Sequence, residues 1–385
     1  MTVKQASLII FPALFIAMLG AGIIAPTMPL YAEKLGASGF SLGFIWAAFS
    51  ISRAVFMPIS GRLSDRRGRK AFIVTGLAIY AAASLGYMWS DSVIHLIWVR
   101  FLHGIGSAMV VPIAAAVIGD LAPHGHEGRV MGSFGVFLFL GFGFGPILGG
   151  LVSDLFSVEA AFITMGALSL ASCLSIMVFL PEKRNDNAKT TVTTSFRLMW
   201  QMRKFRALLA FRFSNAVCRA TVFTFIPVLA AGFNVSPGKI GLLVSVNVLL
   251  TGISQHFFGF LADRFDRRLL IAGGNLCTSA AMLLVPLGRG YSDIFAIGIL
   301  MGLGSGVAYP SANAVATELG RNNGMGNIMG FFNLSMSIGM IAGPLLSGAV
   351  HDLISQNAVF IAAGAIGIAG SLYCFPAYSD TNNQT

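Results

Sequence analysis

The feature that most constrains this chain is a run of about 20 apolar residues that recurs from one end to the other. The runs follow one another along all 385 residues and are separated by short polar segments. A helix needs about 20 residues to cross a hydrocarbon core of roughly 30 Å. Because 56% of the residues are hydrophobic and only 10% are charged, a water-soluble domain of this size could not cover its apolar surface. The sequence therefore predicts an all-α membrane protein whose solvent is the lipid bilayer.

Division of the chain at its polar segments predicts twelve transmembrane helices. The predicted spans are 8–31, 41–61, 71–89, 93–118, 130–152, 159–180, 207–232, 239–261, 269–287, 294–317, 325–350 and 357–376. The first run lacks the cleavage site of a signal peptide, so we expect it to be retained as a helix.

The longest polar stretch, residues 181–206, divides the chain near its middle. We interpret it as a cytoplasmic linker between an N-terminal six-helix bundle, residues 1–180, and a C-terminal six-helix bundle, residues 207–385. The end of this linker, Phe196 to Phe205, is basic and amphipathic, which favours a short helix on the membrane surface.

The basic residues predict how the chain is oriented. Most of them fall in the loops and termini on one side of the predicted spans, whereas the other side holds only Lys34, Lys239 and Arg289. Short cytoplasmic loops carry the excess of Lys and Arg, so both termini are expected in the cytoplasm. The net charge of +10 therefore indicates membrane orientation, and no nucleic-acid partner is expected. The four cysteines lie in apolar spans without metal-ligand spacing, which predicts neither a disulfide, a metal site nor a cofactor.

The two halves of the sequence repeat one another at a fixed offset of 198 positions. The offset matches Pro29 with Pro227, Gly61 with Gly259, Asp65 with Asp263, Gly104 with Gly302, Pro146 with Pro344 and Asp154 with Asp352. Chance similarity between apolar helices would match Leu and Val instead. A parallel six-helix repeat predicts two bundles related by a pseudo-two-fold axis along the membrane normal, with a substrate held between them near the midplane.

The loop between spans 2 and 3 reads GRLSDRRGRK from Gly61 to Lys70, and GFLADRFDRR from Gly259 to Arg268 is a degenerate copy. This pair of loops resembles the signature loop of the major facilitator superfamily. The resemblance implies a conformational latch that comprises Gly61, Asp65, Arg66, Gly68, Arg69, Gly259, Asp263, Arg264 and Arg267. We expect Gly61 to permit close helix approach, and we expect a weaker second latch because Asp266 replaces the later glycine.

Two further motifs resemble the drug:proton antiporter branch of that superfamily. Span 4 contains RFLHGIG from Arg100 to Gly106, which implies a role in proton coupling for Arg100 and His103, together with Asp65. Simple hydrogen bonding is the alternative for His103. Span 5 resembles the antiporter motif, whose matching residues are Gly141, Gly145, Pro146, Gly149 and Gly150. Glycines at intervals of four give a helix face without side chains, and Pro146 predicts a bend.

Charges within the spans bear on the substrate. Arg53, Arg100, Arg212 and Arg219 lie inside predicted spans, whereas the acidic residues fall at span ends or in loops. Many drug:proton antiporters carry a membrane carboxylate, whereas a cavity lined by Arg53, Arg212 and Arg219 favours an anionic or zwitterionic substrate. The alternative for Arg212 is that it extends to the cytoplasmic interface. The predicted cavity residues are Trp46, Phe49, Arg53, Asn215, Arg219, Asn247, Gln255, Tyr309, Asn313 and Asn333.

The resemblance implies a secondary active transporter in the inner membrane of a bacterial or archaeal cell. It implies proton-coupled efflux of amphipathic small molecules or drugs by alternating access, with the lipid bilayer, a small-molecule substrate and protons as partners, and a monomer as the working unit. The sequence shows neither a nucleophile with its base nor a phosphate-binding glycine loop, so we expect neither an enzyme nor an ATP-driven pump. Two alternatives remain: transport of an anionic metabolite or lipid-like anion, and a non-transporting membrane scaffold.

Overall fold

The chain folds into helices joined by short connections. The computed structural model describes residues 3–122, 127–181, 196–261 and 265–377. The helices in these residues are α1 (Val3–Lys34), α2 (Gly39–Arg67), α3 (Arg69–Met88), α4 (Val93–Leu121), α5 (Glu127–Leu155), α6 (Val158–Phe179), α7 (Phe196–Gln201), α8 (Arg203–Ala231), α9 (Pro237–Leu261), α10 (Arg267–Leu284), α11 (Tyr291–Asn323), α12 (Met325–Leu353) and α13 (Gln356–Ala377). A single 3-10 turn, Val285–Leu287, extends α10.

Twelve of the described helices are long and apolar enough to cross a membrane. Each corresponds to one predicted span, so the prediction of twelve spans is confirmed. Most of the helices are several residues longer than their predicted spans. The 29-residue helices α2, α4, α5, α8 and α12 are each about 43 Å long at 1.5 Å per residue. Their polar ends therefore extend beyond a hydrocarbon core of roughly 30 Å.

The predicted surface helix between Phe196 and Phe205 is two pieces rather than one. Helix α7 ends at Gln201, Met202 has an extended backbone conformation, and α8 begins at Arg203. Met199 on α7 is fully buried and belongs to the same apolar cluster as Phe205. The segment is therefore helical with one break, and Met199 anchors it beside α8, whereas its position on the membrane surface stays a prediction. The rest of the predicted linker, residues 182–195, lies outside the described residues.

The chain forms two compact units, each assembled from three stretches of the sequence. The first unit comprises Met1–Ala37, Phe44–Ala188 and Asn234–Ser245, and the second comprises Ser38–Gly43, Lys189–Phe233 and Val246–Thr385. The start of α2 therefore groups with the second unit and the start of α9 with the first. The predicted bundle boundaries, 1–180 and 207–385, stay a prediction.

Both units use the same pattern of helix packing. In the first unit α1 packs on α5 and α6, and α3 packs on α4 and α6. In the second unit α8 packs on α12 and α13, and α10 packs on α11 and α13. These pairs correspond at the offset of 198 residues, so the sequence repeat is also a repeat of the fold.

Backbone contacts repeat at the same offset. A Cβ added to Gly106 would lie 2.9 Å from the carbonyl oxygen of Gly76, and one added to Gly304 would lie 2.8 Å from the carbonyl oxygen of Gly274. Only glycine allows helices to approach so closely that the backbone of one touches that of the other. The glycines therefore fix the same packing frame in both units.

A carboxylate at the end of α12 caps the beginning of α2 within the second unit. Oδ1 and Oδ2 of Asp352 accept hydrogen bonds from the backbone N–H groups of Gly39 and Phe40, each at 2.8 Å. Nδ1 of His351 lies 3.0 Å from Asp352 Oδ1. The first N–H groups of a helix have no partner within the helix, and a negative charge is favourable beside them.

The first unit contains a reduced copy of this cap. Asp154, at the end of α5, accepts one hydrogen bond at 2.9 Å from the N–H of Gly238 near the start of α9. The residue equivalent to Gly39 is Pro237, which has no N–H to donate. The two caps therefore share their geometry but differ by one hydrogen bond.

Candidate functional site

The second unit contains an open recess with mixed polar and apolar walls. Its empty space, including the part open to solvent, is about 500 Å³. Helices α8, α9, α10 and α11 supply the walls, which are formed by Asn215, Arg219, Val222, Phe223, Asn247, Val248, Thr251, Gln255, Thr278, Met301, Ser305 and Tyr309. A concave site with apolar surface and a few convergent polar groups suits a small organic ligand.

One face of α8 places three polar side chains close to this recess. Arg212, Asn215 and Arg219 are separated by three and four residues and so share one helical face. The guanidinium carbon of Arg219 lies 5.5 Å from the ring centroid of Phe223, one turn further along α8. The recess therefore combines a cation and an aromatic ring on one wall.

Helix α9 contributes an amide whose orientation is fixed. Nδ2 of Asn247 donates to the carbonyl oxygen of Gly298 at 2.8 Å. Oγ1 of Thr251 donates to the Asn247 carbonyl oxygen at 2.8 Å and lies 3.2 Å from the carbonyl oxygen of Gly302. The Asn247 and Thr251 side chains therefore connect α9 to α11.

Arg212 is buried behind Tyr309. Its side chain is 4% exposed, and its guanidinium carbon lies 4.6 Å from the ring centroid of Tyr309 and 4.7 Å from that of Phe332. Nη2 donates to the Tyr309 hydroxyl at 3.3 Å and lies 2.7 Å from Sδ of Met336. Among the described residues, Nε has no hydrogen-bond partner. The alternative in which Arg212 extends to the membrane interface is therefore wrong.

A buried amide network supports the recess from behind. Asn275 on α10 is fully buried, and its Nδ2 donates to the carbonyl oxygen of Gly367 and to Oγ of Ser371, both at 2.9 Å. Nδ2 of Asn215 lies 3.5 Å from Asn275 Oδ1. The sequence analysis missed Asn275, although an amide in the middle of an apolar span was the available signal.

The first unit contains a second cluster around Arg100, which is 3% exposed. Its guanidinium carbon lies 4.3 Å from the ring centroid of Trp46 and 5.0 Å from that of Phe49. Within the described part of the chain, Nε and Nη2 of Arg100 have no hydrogen-bond partner. Stacking on aromatic faces offsets part of the cost of burying this charge.

His103 lies in the same cluster and is 2% exposed. Its Nδ1 lies 2.9 Å from the Tyr87 hydroxyl, and its ring meets that of Tyr80 at a centroid distance of 4.4 Å. Arg53 also lies within electrostatic range of Tyr80. A proton on His103 would add a second positive charge beside Arg100 in a buried site. The geometry therefore fits a neutral, hydrogen-bonded histidine, and sequence analysis missed its partner Tyr87.

The structure thus separates the predicted cavity residues into groups. Asn215, Arg219, Asn247, Gln255 and Tyr309 line the recess of the second unit. Trp46, Phe49 and Arg53 lie in the first unit, in or beside the Arg100 cluster. Asn313 contacts Tyr309 from behind, and Asn333 is half-buried on α12 without lining the recess.

The predicted latch loop of the first unit is a tight connection between α2 and α3. Gly68 separates the two helices with φ of 100°, a conformation that favours glycine. Arg69 pairs with Asp65 through Nη2 at 2.9 Å and with Asp120 at the end of α4 through Nη1 at 2.7 Å. Arg69 therefore ties the loop to α4, whereas Arg66 is exposed.

The second loop preserves one of these ion pairs. Nη1 of Arg267 lies 3.0 Å from Oε2 of Glu318, and both residues stand 198 positions after Arg69 and Asp120. Sequence analysis missed Asp120 and Glu318, which the offset alone could have revealed. The predicted latch residues Asp263 and Arg264 lie outside the described residues.

Asp266 takes a role that its glycine counterpart cannot. It has φ of −60°, and its carboxylate accepts a hydrogen bond from the backbone N–H of Arg268 at 2.9 Å at the start of α10. The Arg268 side chain also bonds this carboxylate, at 2.9 Å and 2.8 Å from Nε, and lowers the pKa of Asp266 below its usual value. Asp266, which stands where the first loop has Gly68, therefore caps the start of α10.

Glycines in two of the motifs behave differently. Gly61 and Gly259 do not provide the expected close approach, because a Cβ added to either would meet no described atom within 4 Å. Gly141, Gly145 and Gly149 do form a side-chain-free face on α5. An added Cβ would lie 2.5, 2.5 and 2.8 Å, respectively, from carbonyl oxygens of α1.

The rest of the antiporter motif follows the same helix. Helix α5 continues through Pro146, and an added Cβ on Gly150 would collide with the carbonyl oxygen of Pro237. These glycines therefore form a packing face, whereas the role of the motif in antiport stays a prediction.

Comparison with known proteins places this fold in a family. The model of the Major Facilitator Superfamily matches residues 10–228 and 208–384. An MFS-type transporter of Methanocaldococcus jannaschii is 31% identical over 353 residues, which cover 90% of this chain and 91% of that protein. The multi-drug resistance efflux pump PmrA homolog of Lactococcus lactis is 25% identical over 92% of this chain and 90% of its own length. The quinolone resistance protein NorA of Staphylococcus aureus is 25% identical over 93% of this chain and 92% of its own length.

Solved structures share the fold at lower identity. A POT family transporter in complex with 5-aminolevulinic acid superimposes with a TM-score of 0.80 at 12% identity, over 97% of this chain and 98% of its own. The human organic anion transporter MFSD10 superimposes with a TM-score of 0.70 at 19% identity, over 97% and 99% of the two chains.

The repeated helix packing, the twelve candidate spans and the family match all agree. The chain is a multi-pass membrane protein and a secondary transporter, and it belongs to the major facilitator superfamily.

Proposed function

We propose that this chain exports amphipathic small molecules across a bacterial or archaeal inner membrane by alternating access, and that protons drive the export. The single observation that carries this proposal is the recess of the second unit. Amides and Arg219 lie beside apolar and aromatic side chains on its walls, an arrangement that suits a ligand with a polar group and an apolar body.

The relatives support the direction of transport. PmrA homolog and NorA are named for drug resistance by efflux or for resistance to quinolones, and each aligns with more than nine tenths of this chain. The side-chain-free face of α5 matches the motif that implies antiport. These likenesses favour export over uptake.

The residues proposed for proton coupling lie on α2 and α4. Asp65 is exposed and pairs with Arg69, whereas Arg100 is buried among aromatic rings. His103 has the geometry of a neutral histidine. We therefore propose that Arg100 and Asp65 take part in proton coupling, as the resemblance implies, with His103 as a hydrogen-bonding neighbour.

The test uses the purified full chain in proteoliposomes with an imposed pH gradient. The probes share a pyrene body and carry one of three head groups: pyrenebutanol, pyrenebutyrate and a pyrenylbutyl trimethylammonium salt. We expect gradient-dependent transport of at least one probe, abolished by a proton ionophore. A transport rate that is the same with and without the pH gradient would refute proton coupling. Failure to move any probe, compared with empty liposomes, would favour the non-transporting scaffold.

The proposed topology and stoichiometry need separate measurements. Fusion of green fluorescent protein to the C-terminus should give fluorescent cells if that terminus is cytoplasmic, whereas a phosphatase fused there should be inactive. The recess is formed within one chain, so we propose a monomer. Light scattering of the detergent-solubilised protein at twice the mass of one chain would contradict it.

A further inference from the structure

We propose that the transported molecule carries an anionic group, such as a carboxylate, sulfonate or phosphate, and that Arg219 binds this group in the recess of the second unit. This inference rests on the proposed transport function and specifies its substrate class. It differs from the expectation for cationic drugs, which need a carboxylate in the site.

The first observation is the sign of the charges on the recess walls. Arg219 is the charged residue among the described residues that line it, and the remaining walls are amide, hydroxyl and apolar side chains. A cation entering this space would meet a like charge and no carboxylate. An anion would meet a guanidinium, which donates to carboxylate and phosphate oxygens in a planar, two-pronged geometry.

The second observation is a buried cation immediately behind the wall. Arg212 is 4% exposed, and its Nε finds no hydrogen-bond partner among the described residues. It lies two helical turns from Arg219 on the same face of α8. A buried charge without an opposite charge is costly. An anion bound in the recess would reduce this cost for Arg212.

Tyr309 connects this buried charge to the recess. A guanidinium can only donate, so the Tyr309 oxygen accepts the bond from Arg212 at 3.3 Å. The Tyr309 hydroxyl can therefore still donate its hydrogen, and either Asn313 or a bound anion can accept this hydrogen bond. The Tyr309 phenol lines the recess. A ligand that accepts a hydrogen bond from this hydroxyl is therefore connected to Arg212 through one residue.

The apolar walls indicate what else the substrate contains. Val222, Phe223, Val248 and Met301 lie on the same recess as Arg219. The Phe223 ring and the Arg219 guanidinium lie close together. An amphipathic organic anion therefore fits this surface better than a small inorganic one.

Equilibrium binding separates this inference from the transport function itself. Fluorescence titration of the full chain in detergent compares pyrenebutyrate, pyrenebutanol and the pyrenylbutyl trimethylammonium salt, which differ in head group only. We expect the wild type to bind the anion about tenfold or more tightly than the other two. Arg219→Gln should lower pyrenebutyrate affinity about tenfold or more and so remove this preference, whereas Arg219→Lys should restore part of it.

The control variant is Arg203→Gln, which removes an equal charge from the exposed start of the same helix, away from the recess. It should bind all three probes as the wild type does. Equal or tighter wild-type binding of the ammonium or alcohol probe would overturn the inference, as would a head-group preference that survives Arg219→Gln. Binding of none of the probes would overturn it too. Transport of the neutral or cationic probe in proteoliposomes would still uphold the proposed export function.

Discussion

Replacing Asp352 with alanine should loosen the first turn of α2 while the rest of the chain stays folded. The Asp352 carboxylate accepts the N–H groups of both Gly39 and Phe40 at 2.8 Å. Without it, these two donors lose the partner that the structure gives them. The backbone amides at this end of α2 should therefore exchange with solvent hydrogen more rapidly.

The magnitude follows from the number of bonds. Loss of a side-chain cap costs about 0.5–2 kcal/mol, and Asp352 makes two such bonds with a carboxylate that is 32% exposed. We expect a loss of about 1–2 kcal/mol, which corresponds to exchange roughly 5–30-fold faster at the affected amides. Asp154→Ala removes a single bond to Gly238, so its effect should be about half as large in free energy.

Hydrogen–deuterium exchange followed by mass spectrometry measures both effects in peptides that span residues 38–43 and 237–241. Asp91→Ala is the matched control, because that exposed carboxylate pairs with His95 at the start of α4. It should leave both peptides unchanged. Unaltered protection of residues 38–43 in Asp352→Ala would refute the role of the cap. Equal effects of the two cap variants would refute the argument from bond number.

Four further variants test other contacts. Gly43→Ala should destabilise the protein by about 1–3 kcal/mol, because the added methyl group would collide with a carbonyl of the facing helix. Gly61→Ala should be tolerated, because its methyl group would meet no described atom within 4 Å. Thermal unfolding in detergent compares the stability of the two variants. Arg69→Gln should speed exchange in the loop that its two ion pairs hold. The hydrogen bond from the Arg268 side chain is the main cause of the lowered pKa of Asp266 in the folded protein. The ionised carboxylate therefore stabilises the folded protein above a pH of about 4, and this stabilisation is lost as the pH falls through the folded-state pKa. Exchange at the start of α10 should therefore differ between wild type and Asp266→Asn at pH 7 but not at strongly acidic pH.

The helices and their repeat could be predicted because both depend on local sequence. A span of apolar residues between polar ends is sufficient to place a transmembrane helix, and the offset of 198 residues needs only the order of glycines, prolines and aspartates. The break at Met202 between α7 and α8 was not predicted, and it lies beside Met199, which is buried in the core.

The partners of charged residues could not be predicted in the same way. Arg69 and Asp120 are far apart in the sequence and meet only when α3 packs on α4. Arg212 was close to the start of its predicted span, which made an interface position plausible. Helix α8 begins at Arg203, which places Arg212 about 13 Å further along the helix, under Tyr309 and Phe332.

Some site residues were identified by type and others only by tertiary structure. Polar side chains in apolar spans correctly indicated Asn215 and Asn247 on the recess walls. Residue type alone does not show which unit holds a side chain, so the sequence placed Trp46 and Phe49 in the same predicted cavity as Asn215 and Asn247. Their packing on Arg100 is a property of the folded first unit.

The repeated glycine frame has a consequence for how such a chain can evolve. At the offset of 198 residues, Phe49 and Arg100 in the first unit correspond to Asn247 and Gly298 in the second unit. The backbone contacts around these two pairs are similar. After an ancestral duplication, mutations at these side chains could accumulate in one copy without disturbing the shared scaffold. The two copies could then specialise, one for a buried cation stacked on aromatic rings and the other for an open pocket.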